Sequence, residues 1–129
     1  MPRADHAQAF AEEICVHTKD RRARRPFILA PWQRDDIVRP LFGEVRWDPE
    51  ASCYVRHFRI AWIEIARKNG KSELLAFVAL YMLVGGVVEP AEIYGCARDT
   101  EQAKLVFNVT ARTVKLSPVL SRRLRVIEH

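Results

Sequence analysis

Eight residues could carry phosphate chemistry: Ile65-Ala66-Arg67-Lys68-Asn69-Gly70-Lys71-Ser72, set between the apolar runs 58–65 and 74–84. An apolar strand, a tight loop ending Gly-Lys-Ser, then a helix is the order of a phosphate-binding P-loop. Each residue type has a reason to be there. A loop entering a helix aims unpaired N–H groups and the positive end of the helix dipole at one spot. Gly70 has no Cβ to hold the backbone off a phosphate oxygen. Lys71 can reach β- and γ-phosphates, and the Ser72 hydroxyl can ligate a bridging Mg²⁺. The usual pattern opens with Gly, and Ile65 stands there instead. On spacing alone, a helix N-terminus with a solvated lysine stays open beside the phosphate loop.

The surrounding elements must place this loop at a sheet edge. Residues 58–65 are β-rich and almost continuously apolar, as in a strand covered on both faces. A helix apolar nearly all round follows over 72–84, stopped by Gly85-Gly86. Residues 92–97 read as a second short strand. Asp99 with Gln102 forms a capping-box arrangement opening a helix with Ala103, Val106, Phe107, Thr110 and Val114 on one face. Ser117-Pro118 ends it, and residues 125–127 suggest a third strand. This order predicts an α/β chain: a P-loop NTPase-type parallel sheet with flanking helices, incomplete, the loop at the strands' C-terminal ends. Upstream, residues 4–17 suggest a helix, and residues 35–42 another that ends at Gly43, with Pro40 limiting its regularity. Residues 44–54 read as a hairpin or loop.

At 129 residues the chain is long enough for one domain with a real core. A net charge of +5 and a pI near 9.4 suit a polyanionic partner, nucleotide or nucleic acid. The basic run around Arg21, Arg22, Arg24 and Arg25 is either a solvated loop or a nucleic-acid contact. Cys15, Cys53 and Cys96 are odd in number and far apart, which suggests neither a disulfide framework nor a zinc site and fits a reducing compartment. No signal-peptide core is present at the N-terminus, and the longest apolar run is too short to span a bilayer.

Taken together, Pro31-Trp32-Gln33, Leu41-Phe42-Gly43 and Ala66-Arg67-Lys68-Asn69-Gly70-Lys71-Ser72 resemble the large terminase subunit of tailed bacteriophages. The Tyr94-Gly95-Cys96-Ala97 stretch and the Gln102-Ala103 helix with Phe107 resemble that family's next βα unit. The resemblance covers roughly residues 5 to 120 and accounts for Ile65, because such terminases commonly lack the first glycine and carry a basic residue inside the loop. It implies ATP and Mg²⁺ as ligands. The nucleotide-binding set would be Trp32, Gln33, Arg67, Lys68, Asn69, Gly70, Lys71 and Ser72, with Ser72 on the metal. Arg67 and Lys71 would be the catalytic residues. Gln33 would belong to an adenine motif, a role its carboxamide suits because it can accept and donate at once. Trp32 either packs beside the base or anchors the motif in the core, with the core role favoured. Arg67 either senses the γ-phosphate or pairs with Glu64, and Lys68 is expected to face solvent.

The resemblance further implies packaging of double-stranded DNA, with the small terminase subunit and the portal protein as partners. It implies a ring oligomer only in the full-length motor, the host cytoplasm as location, and no membrane. The domain reading is one partial ATPase domain over 1–129, divided into a helical, adenine-motif region at 1–55 and a βαβαβ core at 56–129. Whether the chain hydrolyses ATP is left undecided. Hydrolysis needs an acid at the end of a later apolar strand, and Glu12-Glu13 and Asp35-Asp36 do not follow one, while Glu128 sits too close to the end. The nuclease carboxylates are absent. An N-terminal piece from a split gene, a degraded prophage copy or a truncation is the expectation. A helicase-like motor and a non-catalytic DNA-binding remnant are the alternatives.

Overall fold

The computed structural model describes residues 3–15, 27–66, 70–85 and 92–127. The expected N-terminal helix forms as α1 (Arg3–Ala9), continued by a wider π-helical stretch, Phe10–Ile14. A second π-helical stretch, Gln33–Val38, runs without a break into α2 (Arg39–Gly43), and Pro40 at the junction has no N–H to close a regular turn, in keeping with the limited regularity expected there. At Gly43 the two helices nearly touch: a Cβ there would lie 2.6 Å from the Ala4 Cβ.

Residues 44–57 settle as a hairpin. Strands β1 (Val45–Asp48) and β2 (Cys53–Arg56) pair antiparallel, with Trp47 opposite Tyr54 and their rings edge-on at 5.2 Å. Asp48 Oδ1 accepts from the Glu50 and Ala51 amides and so holds the turn.

Helix α3 (Lys71–Val84) is the hub, and Gly85 ends it. Its Leu74, Phe77, Leu80 and Tyr81 are buried against Phe10, Phe27 and Phe42. Tyr81 meets Phe42 edge-on at 4.8 Å and Phe10 at 5.3 Å, arrangements that add about 0.5–1.5 kcal/mol beyond area burial. The Tyr81 hydroxyl is hydrogen-bonded to His6 Nδ1 at 2.8 Å. Residues on both sides of position 55 thus share one core.

Helix α4 (Thr100–Leu116) lies along α3, and its cap is as read: Asp99 accepts from the Gln102 amide at 2.9 Å. Its inward side is wider than the expected one. Val114 is buried and Ala103, Val106 and Thr110 half-buried, Val109, Ala111 and Thr113 are buried as well, and Phe107 is about half exposed. Ser117 ends α4 and caps α5 (Pro118–Arg123), and its buried hydroxyl donates to the Ile14 carbonyl at 2.6 Å.

The expected parallel sheet is not formed among the described residues, where β1 and β2 make the one ladder. Residues 60–66 and 92–97 carry neither helix nor ladder, and Ile60, Trp62 and Tyr94 stand 88%, 86% and 79% exposed. The physical reason is a missing neighbour. Ile63 and Ile65 are partly buried, Ile65 against the helical core, while no described backbone lies alongside to pair the chain on its edges.

Candidate functional site

Gly70 is the N-cap of α3 and adopts φ 74°, ψ 22°, a left-handed conformation that L side chains rarely take. Its carbonyl accepts from the Leu74 amide at 3.0 Å, starting the helix immediately. Lys71 is exposed at the first helical position and Ser72 is half-buried behind it. The early α3 amides and the positive end of its dipole therefore face the approach to Gly70. Arg67, Lys68 and Asn69 lie outside the described residues, as do Arg21, Arg22, Arg24, Arg25 and Glu128. Glu64, the alternative partner for Arg67, accepts from Trp62 Nε1 at 2.8 Å.

Gln33 is buried, and its carboxamide is held at one end: Oε1 accepts from the Ala30 amide at 3.0 Å. The other end, Nε2, lies 3.6 Å from where a Gly70 Cβ would stand. Two residues 37 positions apart are thereby brought together. The clamp on Ala30 was not foreseen from sequence. It leaves the amino end, and the second lone pair of Oε1, for any further partner.

Trp32 does not anchor the core. It is 37% exposed and lines a cavity of about 450 Å³ between the Gln33–Val38 helix and residues 58–65. Ile37, Leu41, Phe58, Trp62 and Ile65 give this cavity an apolar wall, and Asp36 and Glu64 add carboxylates. Gly70, Lys71 and Ser72 lie outside its lining. Nearby, the Arg34 guanidinium grips Asp35 at 2.8 Å and holds its carboxyl below the usual range. Among the described residues no three His, Cys, Asp or Glu gather as a metal cage. A divalent ion here would need Ser72 together with oxygens brought by a ligand or water.

By class, this is a helical chain whose central helix begins at a left-handed glycine backed by a buried glutamine, an arrangement suited to accepting an anion. A family model described as "Terminase large subunit, ATPase domain" matches residues 31–129. The terminase large subunit of Enterobacteria phage HK97 is 32% identical over 127 residues, which is 98% of this chain and 23% of that protein. No solved structure matches. The chain belongs to the terminase large subunit ATPase domain family. Among the described residues no helix is long and apolar enough to cross a membrane.

Proposed function

We propose that this chain binds Mg·ATP at the start of α3, as part of the ATPase that drives packaging of double-stranded DNA. What supports the reading is the approach of Gln33 to Gly70: a carboxamide able to pair with a base edge lies beside a backbone able to accept phosphate. Gly70 would let phosphate oxygens close to the amides, Lys71 would neutralise them, and Ser72 would ligate the metal. Arg67, Lys68 and Asn69 would complete the phosphate loop, with Arg67 aimed at γ-phosphate charge.

In the same reading, residues 58–65 and 92–97 would become strands of a parallel sheet once paired along their edges, with α3 and α4 as its helices, within one partial ATPase domain over 1–129. The small terminase subunit and the portal protein are the protein partners this reading implies, in the host cytoplasm.

The test pairs a thermal-shift titration with a phosphate-release assay. Mg·ATP should raise the melting temperature by mass action, and Lys71→Ala should abolish the shift. Phosphate release should be negligible, because no described acid is placed to orient water. A folded chain with no shift from any nucleotide would overturn the reading. Robust turnover lost in Lys71→Ala would keep ATP and reveal an acid outside the described residues.

A further inference from the structure

Besides the run at Arg21 to Arg25, basic residues without acidic neighbours gather in and just after the last two helices. Residues 102–127 contain six Lys and Arg and no Asp or Glu, while the remaining residues hold fifteen of the 21 basic and all 16 acidic side chains. The segment alone carries +6, against −1 for the rest of the chain, where the basic run at Arg21, Arg22, Arg24 and Arg25 is offset by acidic residues elsewhere. On α4, Lys104, Asn108, Arg112 and Lys115 recur at i, i+4, i+8 and i+11, within an arc of about 80° at 3.6 residues per turn. All four are exposed, on the side away from buried Val109 and Thr113, and Glu101 marks the N-terminal end of the row. Arg122, Arg123 and Arg125 follow, also exposed.

Helix electrostatics account for part of this set. Lys115 lies in the last turn of α4, and Arg122 and Arg123 in the last turn of α5, where cations are favoured. Lys104 and Arg112 have no such use, and among the described residues neither they nor the three arginines make an ion pair. Like charges gathered on one surface repel one another and are relieved by a polyanion.

We propose that the Lys104–Asn108–Arg112–Lys115 row, with the arginines that follow it, contacts the phosphate backbone of duplex nucleic acid. From Lys104 to Lys115 the helix rises about 16 Å. A duplex carries one charge per ~1.7 Å of its axis, so the row spans roughly ten phosphates. An anionic membrane fits less well, because α4 buries Val109, Ala111 and Val114 and leaves only Leu105 and Phe107 as exposed large apolar side chains. Single strands also fit less well, since no aromatic lies within the arc for bases to stack on. The inference rests on the proposed function only for the choice of duplex DNA as the partner.

The experiment is anisotropy of a labelled mixed-sequence duplex titrated at several salt concentrations. The wild type should bind with a steep salt dependence and little sequence preference. The triple variant Lys104→Ser, Arg112→Ser, Lys115→Ser should melt normally, since those side chains are exposed. Its log–log salt slope should flatten by about 0.9 for each phosphate no longer neutralised. Lys71→Ala should bind the duplex as wild type does, so failure of the nucleotide site and failure of this surface are separable. An unchanged slope in the triple variant would overturn the proposal. So would a slope that disappears instead on replacing Arg21, Arg22, Arg24 and Arg25, or equal affinity for anionic lipid vesicles.

Discussion

Gln33 has two possible uses, and its two ends separate them. Oε1 caps the Ala30 amide, a structural bond, while Nε2 faces the Gly70 backbone. Gln33→Ala removes both and should destabilise the fold by about 1–3 kcal/mol through the unmet Ala30 amide. Gln33→Glu keeps an acceptor for Ala30 and loses the donor. If the carboxamide reads adenine, Gln33→Glu should weaken ATP more than GTP, beyond the stability lost to burying a carboxylate. Equal losses for the two nucleotides would confine Gln33 to the structural role. Cys15 offers a second test at this scale. Burial pushes its thiol from the ordinary 9.0 up to about 12, so the folded state keeps the proton where the unfolded state loses it. That contribution is fully present below about pH 9 and is lost as pH climbs toward 12, at about 1.4 kcal/mol per pH unit. Urea melts at pH 8 and 10 should show a smaller alkaline loss in Cys15→Ala than in wild type. Equal losses would mean that Cys15 is not protected in solution.

At the scale of elements, what could be read from the sequence was what local chemistry decides. The Asp99–Gln102 cap, the stop at Gly85 and the break at Ser117-Pro118 depend on one or two neighbouring residues, and all three are found. The face of α4 is read in part: Val114 turns in as its spacing says, whereas Phe107, as apolar as the buried Val109, stays half exposed, an outcome set by the placement of α3. The basic row of α4 was legible in its spacing and in the absence of acids from 102 to 127, but the arginines at 122–125 are the denser local signal and mask it. Ser117 shows how a local signal can hide a distant one. From the sequence Ser117 is read only as the end of α4, and neither its cap on α5 nor its bond to Ile14, 103 residues away, is foreseen. Ser117→Ala should therefore cost more than a lost cap, which alone is about 1 kcal/mol. With the Ile14 carbonyl also left unmet, about 2–3 kcal/mol is expected in urea denaturation. A loss below 1 kcal/mol would show the Ile14 bond contributes little.

For the whole molecule, the sequence signal for a sheet and the described arrangement part company in one place. Residues 58–65 were read as a strand covered on both faces because nearly every side chain is apolar. Composition reports what a segment is suited to bury, but the burial itself requires a neighbour. Here the helices supply one for Ile65, and nothing described covers Ile60 or Trp62. Trp62 can tell the two situations apart, because truncating a large side chain has different costs on the two sides. An exposed site usually tolerates substitution within about 0.5 kcal/mol, whereas a buried tryptophan cut to a small residue loses about 3–5 kcal/mol. For this chain alone, Trp62→Ser should leave the urea midpoint nearly unchanged, and its indole should be open to quenching by iodide in the wild type. Removing it should also lower any concentration-dependent association, since exposed apolar strand segments invite edge pairing. A loss of several kcal/mol, with Trp62 shielded from iodide, would instead mean that the parallel sheet proposed for residues 58–65 and 92–97 is already formed in solution.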